Sequence, residues 1–566
     1  MSVYRQSRDK SATPKAPQEG PVAEMVRQFA DPYAFLRELV QNAIDAGASA
    51  IDVRAELGTD NEASFTVSDN GSGMDRATIE GPLLTLFRSS KEGDDSKIGR
   101  YGVGFVSVFA IQPEVVIVTT STASESWVLR LFPDHSYELE QPSERSASQG
   151  TSVRLVKRAP LTEFNRHAAA CEASLRRWCR HAPIPIRFST ADWQGKESAS
   201  VRIDRPMGLR AAVSVTHSEG AEHFIVGPTA GSILLAPAQP GEEDGTDGGD
   251  FAGFYNRGLM LMETDQVPRP LRGLRCKVLS PNLQHTISRD DVRRNDAFDR
   301  VVDQVLSLAR ARLRGELALR LKEQALLVAS GAQDTHYVAL IAAAWTGEYK
   351  VDADEITLAL TDAVDGSTVA SVSSILWAGR DLGVLVAPSS CALSAAFASR
   401  GHPVVRCESD ALTSGLAALL HPAAMVSVSG AFVLLQEDGT AGAVPSDRDF
   451  CDATHRALRA AGASLERVTI ARCEGATGAI AFAADGQGVG ICDCRAPKPW
   501  WKRWRGRTTL WLDADNPIVR EARSRATFDP STAGILLARL LLLHARGVMD
   551  PRAHDRLLAA WHKGDS

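Results

Sequence analysis

Apolar positions recur along this chain with distinct periods, and the changes of period divide it. Between Ala34 and Ala46 the residues Phe35, Leu36, Leu39, Val40, Ala43 and Ile44 return at steps of three and four, which predicts an amphipathic helix with a wide apolar stripe. Ala63 to Ser68 reads as a strand running into a glycine-rich turn. After a polar stretch from Arg88 to Lys97 and a glycine cluster around Tyr101, strand alternation returns at Val115 to Thr119, Trp127 to Leu131 and Ser152 to Val156. Helix first, then sheet, with glycine turns between them, describes an α+β sandwich. Further along, strands are predicted around Tyr255 to Met262 and at Leu274 to Leu279, followed by a long helix from about Ala297. A β-α-β pattern follows: Leu382 to Pro388, a helix over Cys391 to Ser399, and the strand Pro403 to Cys407. Ile535 to Ala545 is so apolar that it is expected to be buried, in its own domain or against a second subunit.

Composition narrows the class. The 566 residues suggest three to five folding units, and 44% hydrophobic with 23% charged residues gives each region material for a core. The net charge of −6 argues against a chain whose main work is coating polyphosphate, so nucleic acid is not the default partner. The first twenty residues are polar and read as a flexible tail, and no run of 18 apolar residues occurs, so neither a signal peptide nor a membrane span is expected. Nine cysteines without regular spacing speak against a disulfide framework and for a reducing cytoplasm. Cys492 and Cys494 form a close pair that suits buried strand residues better than a metal site.

The candidate chemistry begins on the first helix. Glu38, Asn42 and Asp45 fall at i, i+4 and i+7 and share one face. A carboxamide oxygen can ligate a hard cation such as Mg²⁺, and a carboxylate one turn away can take a proton from water; the same residues also suit an ordinary polar outer face. At Val67 to Met74 a strand ends in Asp69 and passes Gly71 and Gly73 to Met74. A carboxylate there can accept from an exocyclic amino group, and glycines let a flat base approach the backbone. Gly99, Gly102 and Gly104 then precede the apolar run from Phe105, and glycines opening a helix aim free N–H groups at an anion.

In this order the three elements resemble the N, G1 and G2 boxes of the GHKL ATPase superfamily. FLRELVQNAIDA and IGRYGVGFVSVFAI are most similar to the versions in the ninety-kilodalton heat-shock chaperones. The resemblance implies ATP and Mg²⁺ as ligands, with Glu38 activating the attacking water, Asn42 holding the metal and Asp69 reading adenine. It places Asp45, Gly71, Gly73, Met74, Gly99, Gly102, Val103, Gly104 and Phe105 around the nucleotide. Thr151, in Gly150-Thr151, matches a family Thr whose hydroxyl faces the adenine site through the Asp and water. Lys91, in a short lid between Gly81 and Gly99, is either a phosphate contact or a solvated lysine. Ser288-Arg289-Asp290 resembles the family's middle-domain loop, which implies that Arg289 stabilises the leaving γ-phosphate; Arg293 departs from the family, which usually has an uncharged polar residue there.

The resulting expectation is an N-terminal Bergerat-type α/β sandwich ATPase domain over 21–195, behind the tail at 1–20. An α/β middle domain with the arginine loop follows over 196–330, then a small α/β subdomain over 331–440 and an α+β, dimerising C-terminal domain over 441–566. The resemblance implies a cytoplasmic, homodimeric, ATP-dependent chaperone acting on a client or a dedicated partner protein, with no membrane role. The alternatives are a GHKL switch acting on nucleic acid and a nucleotide-gated scaffold in a stress or defence pathway. The segment Lys498 to Arg507, with five cations and three tryptophans, suits a client, an acidic partner, a membrane surface, single-stranded nucleic acid or simply a hairpin with wet arginines.

Overall fold

The computed structural model describes residues 4–5, 31–84, 105–134, 136–144, 148–194, 196–229, 249–286, 291–346, 349–380, 382–437, 445–475, 480–484, 489–491, 509–546 and 551–562. The described chain divides into two units, 1–313 and 314–566.

The predicted helix is present as α1, Phe35–Asp45, with Phe35, Leu36, Leu39, Val40 and Ala43 buried. Its end is a Schellman motif: Ala48 N–H donates to the Ala43 carbonyl and Gly47 N–H to that of Ile44, each at 3.0 Å, with Gly47 at φ 73°. That cap turns the chain straight into the sheet. In chain order the strands are β1 (Tyr4–Arg5), β2 (Ile51–Leu57), β3 (Glu62–Asp69), β4 (Val115–Ser121), β5 (Ser126–Leu131), β6 (Tyr137–Glu140), β7 (Gly150–Arg158), β8 (Ile186–Ala191) and β9 (Val201–Arg202). They form one nine-stranded sheet in the order β1-β6-β5-β4-β7-β3-β2-β8-β9. Strict alternation of buried and open positions along β2 is the signature of a sheet with one face on a core. Helix α2, Leu161–Cys179, joins α1 on that face, and Phe164, Leu175 and Trp178 enter the same core.

The second part of this unit is a five-stranded sheet in the order β10-β11-β14-β12-β13. Its strands are β10 (Val215–Glu219), β11 (Glu222–Pro228), β12 (Phe251–Asn256), β13 (Leu259–Thr264) and β14 (Leu274–Leu279), and α3 (Asp296–Leu308) follows. Tyr255, Leu259 and Met260 of β12 and β13 belong to the same apolar core as Trp178, Cys179, Ala182 and Ile203, so one core spans the two sheets. Arg275 and Lys277 of β14 are almost wholly buried. Arg275 donates to the carbonyls of Arg210 at 2.7 Å and Gly249 at 2.5 Å, which supplies the partners that a buried cation requires.

In the second unit, α4 (Arg314–Ala329) and α5 (Thr335–Thr346) precede β15 (Thr357–Val364), β16 (Ser367–Ser371) and α6 (Val372–Ala378). The expected β-α-β appears as β17 (Val384–Ala387), α7 (Ala392–Ala398) and β18 (Val404–Arg406), with β17 and β18 parallel. After α8 (Asp410–Leu420), β19 (Met425–Ser427) completes a sheet ordered β16-β15-β18-β17-β19. A last sheet, ordered β22-β24-β21-β20-β23, comprises β20 (Ala431–Glu437), β21 (Arg467–Gly475), β22 (Ala481–Ala484), β23 (Val489–Ile491) and β24 (Thr509–Asp513). Around it lie α9 (Pro445–Ala460), α10 (Pro517–Ala526), α11 (Pro530–Arg546) and α12 (Pro551–His562). The apolar run at Ile535 to Ala545 lies within α11, where Leu537, Ala538, Leu541 and Leu542 are buried but Leu536 and Leu540 are 42% and 44% exposed. The helix is therefore buried on one face within its own unit and bare on the other.

Candidate nucleotide site

Three adjacent strands and one helix end build the site. In register, Asp69 of β3 lies beside Thr151 of β7, and Thr151 beside Thr120 of β4. The Thr120 and Thr151 hydroxyls are 3.0 Å apart, and Thr120 Oγ1 also accepts from the Met74 N–H at 2.8 Å. A row of polar groups thus runs from Asp69 to the far side of the Gly71–Met74 turn.

The turn is held from both sides. Asp69 Oδ1 accepts from the Gly71 N–H at 2.8 Å, and the Ser72 N–H donates to the Ala46 carbonyl at 3.0 Å, one residue beyond α1. Asn70 Oδ1 accepts from the N–H groups of Ser49 and Ala50 at 2.8 and 3.0 Å, tying the loop after α1 to the end of β3. Gly73 stands at φ 72°, and a Cβ there would lie 2.1 Å from the Ser121 carbonyl oxygen, so no side chain fits. Burial pushes the Asp69 carboxyl above its ordinary range, and the N–H groups of Gly71 and Thr151 pull part of the way back. A carboxylate held in a half-dry notch with backbone donors on one side is poised to accept from an amino group on the other.

Along α1 the expected face is present. Glu38 is half-buried, while Asn42 and Asp45 are exposed. Phe105 begins a short 3-10 helix, Phe105–Ile111, with most of its residues buried. Met74 packs against the core beneath the turn. The structure brings together Asp69, Gly71, Gly73, Met74 and Thr151, and joins them to the helix of Glu38, Asn42 and Asp45 through Ala46. Lys91, Gly99, Gly102, Val103, Gly104 and Arg289 lie outside the described residues, as do the Lys498–Arg507 segment and the Cys492/Cys494 pair.

Two contributors were missed by sequence reasoning. Thr120 carried a signal, because a hydroxyl occupies a buried position in the alternation of β4. Arg257 carried none: its guanidinium pairs with the Asp45 carboxylate from the tip of the β12–β13 hairpin, more than two hundred positions away.

The donor set suits Mg²⁺, a hard ion that takes one or two protein oxygens and completes its shell with phosphate and water. Asn42 offers an exposed carboxamide oxygen one turn from the Glu38 carboxylate. Among the described residues, no group of three His, Cys, Asp or Glu side chains is placed to hold a metal ion by itself.

Known proteins resemble this chain over the region that carries these residues. Residues 33–157, from just before α1 to β7, match the family described as histidine kinase-, DNA gyrase B-, and HSP90-like ATPase. The chain is 28% identical over 339 residues to the chaperone protein HtpG of Wolbachia sp. subsp. Brugia malayi, covering 51% of this chain and 52% of that protein. It is 31% identical over 197 residues to the HtpG of Bordetella parapertussis, covering 30% and 31%. With the HtpG of Bacteroides thetaiotaomicron it shares 29% identity over 194 residues, covering 30% and 28%. The chain spans about half the length of the first of these relatives and about a third of the other two. A solved structure titled as the N-terminal domain of a DNA repair protein aligns with 50% of this chain and 95% of its own, at 15% identity and a TM-score of 0.32. Residues 33–157 thus match the histidine kinase-, DNA gyrase B-, and HSP90-like ATPase family, their strands and helices have the expected Bergerat-type α/β arrangement, and the chain is similar to the HtpG chaperones of the ninety-kilodalton heat-shock family.

Proposed function

We propose that this chain is an ATP-dependent molecular chaperone similar to the ninety-kilodalton heat-shock family, binding and hydrolysing ATP to drive domain closure on a client protein. The observation that carries the reading is the junction at Ala46. It sets the desolvated Asp69 notch, with its glycine turn and Thr151 hydroxyl, against the end of the helix that presents Glu38 and Asn42. Asp69 accepts from the adenine amino group, and Gly71 and Gly73 let the base lie against backbone. Glu38 takes the proton of the attacking water. Asn42 is the residue that would hold Mg²⁺, which when bound neutralises charge on the phosphate oxygens. Backbone N–H groups around Gly102 to Phe105 cradle phosphate, with Lys91 as a further contact, and Arg289 stabilises the charge on the leaving γ-phosphate.

The family likeness supports a homodimer working on a client or a dedicated partner, and the bare Leu536/Leu540 stripe of α11 supports a subunit contact there. The reading includes a cytoplasmic setting, for which the seven described cysteines, all free thiols, are favourable. Among the described residues no helix is long and apolar enough to cross a membrane.

Steady-state ATP hydrolysis by the wild type, Glu38→Ala and Arg289→Ala tests the mechanism. Both variants should lose at least about tenfold in turnover. Unchanged turnover in both sinks it.

A further inference from the structure

One turn of the chain holds two elements of the first unit in a fixed relation. The β12–β13 hairpin closes through Arg257 and Gly258 at φ 50° and 80°, the type I′ geometry that suits the twist of paired strands. A Cβ on Gly258 would lie 2.1 Å from the His181 carbonyl oxygen, so the turn rests directly on the chain just after α2. Beneath it, Glu263 accepts from both the Tyr255 hydroxyl and the Arg180 guanidinium, and Tyr255, Leu259 and Met260 enter the core of the nucleotide domain.

From that seat two neighbouring side chains reach different elements. Arg257 pairs with Asp45, at the end of the helix face that carries Glu38 and Asn42. Asn256 Nδ2 donates to the Leu283 carbonyl at 2.7 Å and to that of Pro281 at 3.3 Å. Those carbonyls lead into a short antiparallel stem: the Arg293 N–H donates to the Gln284 carbonyl at 2.6 Å, the Thr286 N–H to that of Asp291 at 2.9 Å, and His285 bridges Val292. In the sequence, Arg289 lies between the two stem strands.

We propose that the Asn256–Arg257 turn is a positioning strut for ATP hydrolysis, fixing the stem formed by 283–286 and 291–293 against the Glu38/Asn42 face of α1. This rests on the ATPase reading above. Displacement of about 1 Å in a group serving a reaction can cost on the order of 10²-fold in rate, so a device that fixes register affects turnover more than binding. The Arg257–Asp45 pair is about half exposed at both ends (53% and 45%), so it adds little to stability, and its effect is on placement.

The test uses the full-length chain with Arg257→Asn, which tolerates positive φ at the turn, Arg257→Lys, which keeps the cation, and Asn256→Ala. Steady-state turnover gives kcat and KM, titration with a fluorescent ATP analogue gives affinity, and amide hydrogen exchange reports on 283–286 and 291–293. In Arg257→Asn and Asn256→Ala, kcat falls about tenfold, affinity stays within about twofold and exchange in the stem quickens, while Arg257→Lys recovers most of the loss. Unchanged kcat in Arg257→Asn overturns the strut. So does a loss that Arg257→Lys leaves uncorrected and that follows a fall in melting temperature. Absence of hydrolysis by the wild-type chain overturns the ATPase reading itself, an outcome distinct from hydrolysis indifferent to Arg257.

Discussion

Asp69, proposed above to accept from the adenine amino group, would serve binding at the expense of the fold. Burial raises its carboxyl above the ordinary value, so its contribution to stability is present in full below about pH 3.8 and is lost as pH rises through the raised value. At pH 7 the charged form is therefore a net burden on the folded chain. Asp69→Asn keeps an oxygen for the Gly71 and Thr151 N–H groups but removes the charge. It should raise the melting temperature at pH 7 by about 2 °C, with the gain vanishing toward pH 4, while weakening a fluorescent ATP analogue at least about tenfold. Melting and affinity falling together would contradict this account. Thr120 is the complementary case, a buried hydroxyl whose removal strands the Met74 N–H. Thr120→Val should cost about 1–2 kcal/mol in urea unfolding, and Thr120→Ser much less.

At the scale of elements, the turn from Gly71 to Met74 is the least replaceable piece. Gly73→Ala places a methyl against the Ser121 carbonyl at a φ that alanine resists. It should lower stability by about 2 kcal/mol in chemical denaturation and abolish nucleotide binding; a variant that binds normally would show that the turn is softer than its contacts indicate. Elements of this kind were legible in the sequence because their signals are local. The apolar steps of α1, the alternation of β3, β4 and β7, and the spacing of Glu38, Asn42 and Asp45 each depend on neighbours within a few residues. The Thr120–Thr151 contact depends on β4 lying beside β7, and periodicity fixes which face a residue takes but not which strand lies next to it. Arg257 was illegible for the same reason, since an arginine at a hairpin tip reads as solvated until the fold brings it to Asp45. The Ile535 to Ala545 run shows the same limit: hydrophobicity announced burial in its own domain or against a second subunit, but only the fold shows that the unit covers one face of α11 and leaves Leu536 and Leu540 open.

For the molecule as a whole, that bare face and the single core of the first unit have separate consequences. If α11 faces a second copy, Leu536→Lys with Leu540→Lys should convert a dimer into a monomer by sedimentation equilibrium, with helical content unchanged; a mass unaffected by both substitutions would remove α11 from the contact. The core of the first unit should make it sensitive to acid. His181 lies where the two sheets meet, and burial together with the Lys277 ammonium 3.5 Å away pulls its imidazole down to about 3. A folded value depressed below 6.5 contributes stability that is present above pH 6.5 and lost as pH falls through that window toward 3. His167, also depressed by burial, acts in the same direction. His181→Gln should flatten the fall in melting temperature between pH 6.5 and 4, and an unchanged slope would assign the acid sensitivity elsewhere. The shared core also bears on how the chain is made. Trp178, Cys179 and Ala182 meet Tyr255, Leu259 and Met260 only after a further stretch of about 80 residues has been synthesised, which at about 5–20 residues per second is roughly 4 to 16 seconds on the ribosome. Throughout that interval the nascent nucleotide domain carries an open apolar seat, so a slow codon tract between the two sheets would prolong the period in which this chain itself needs protection from aggregation.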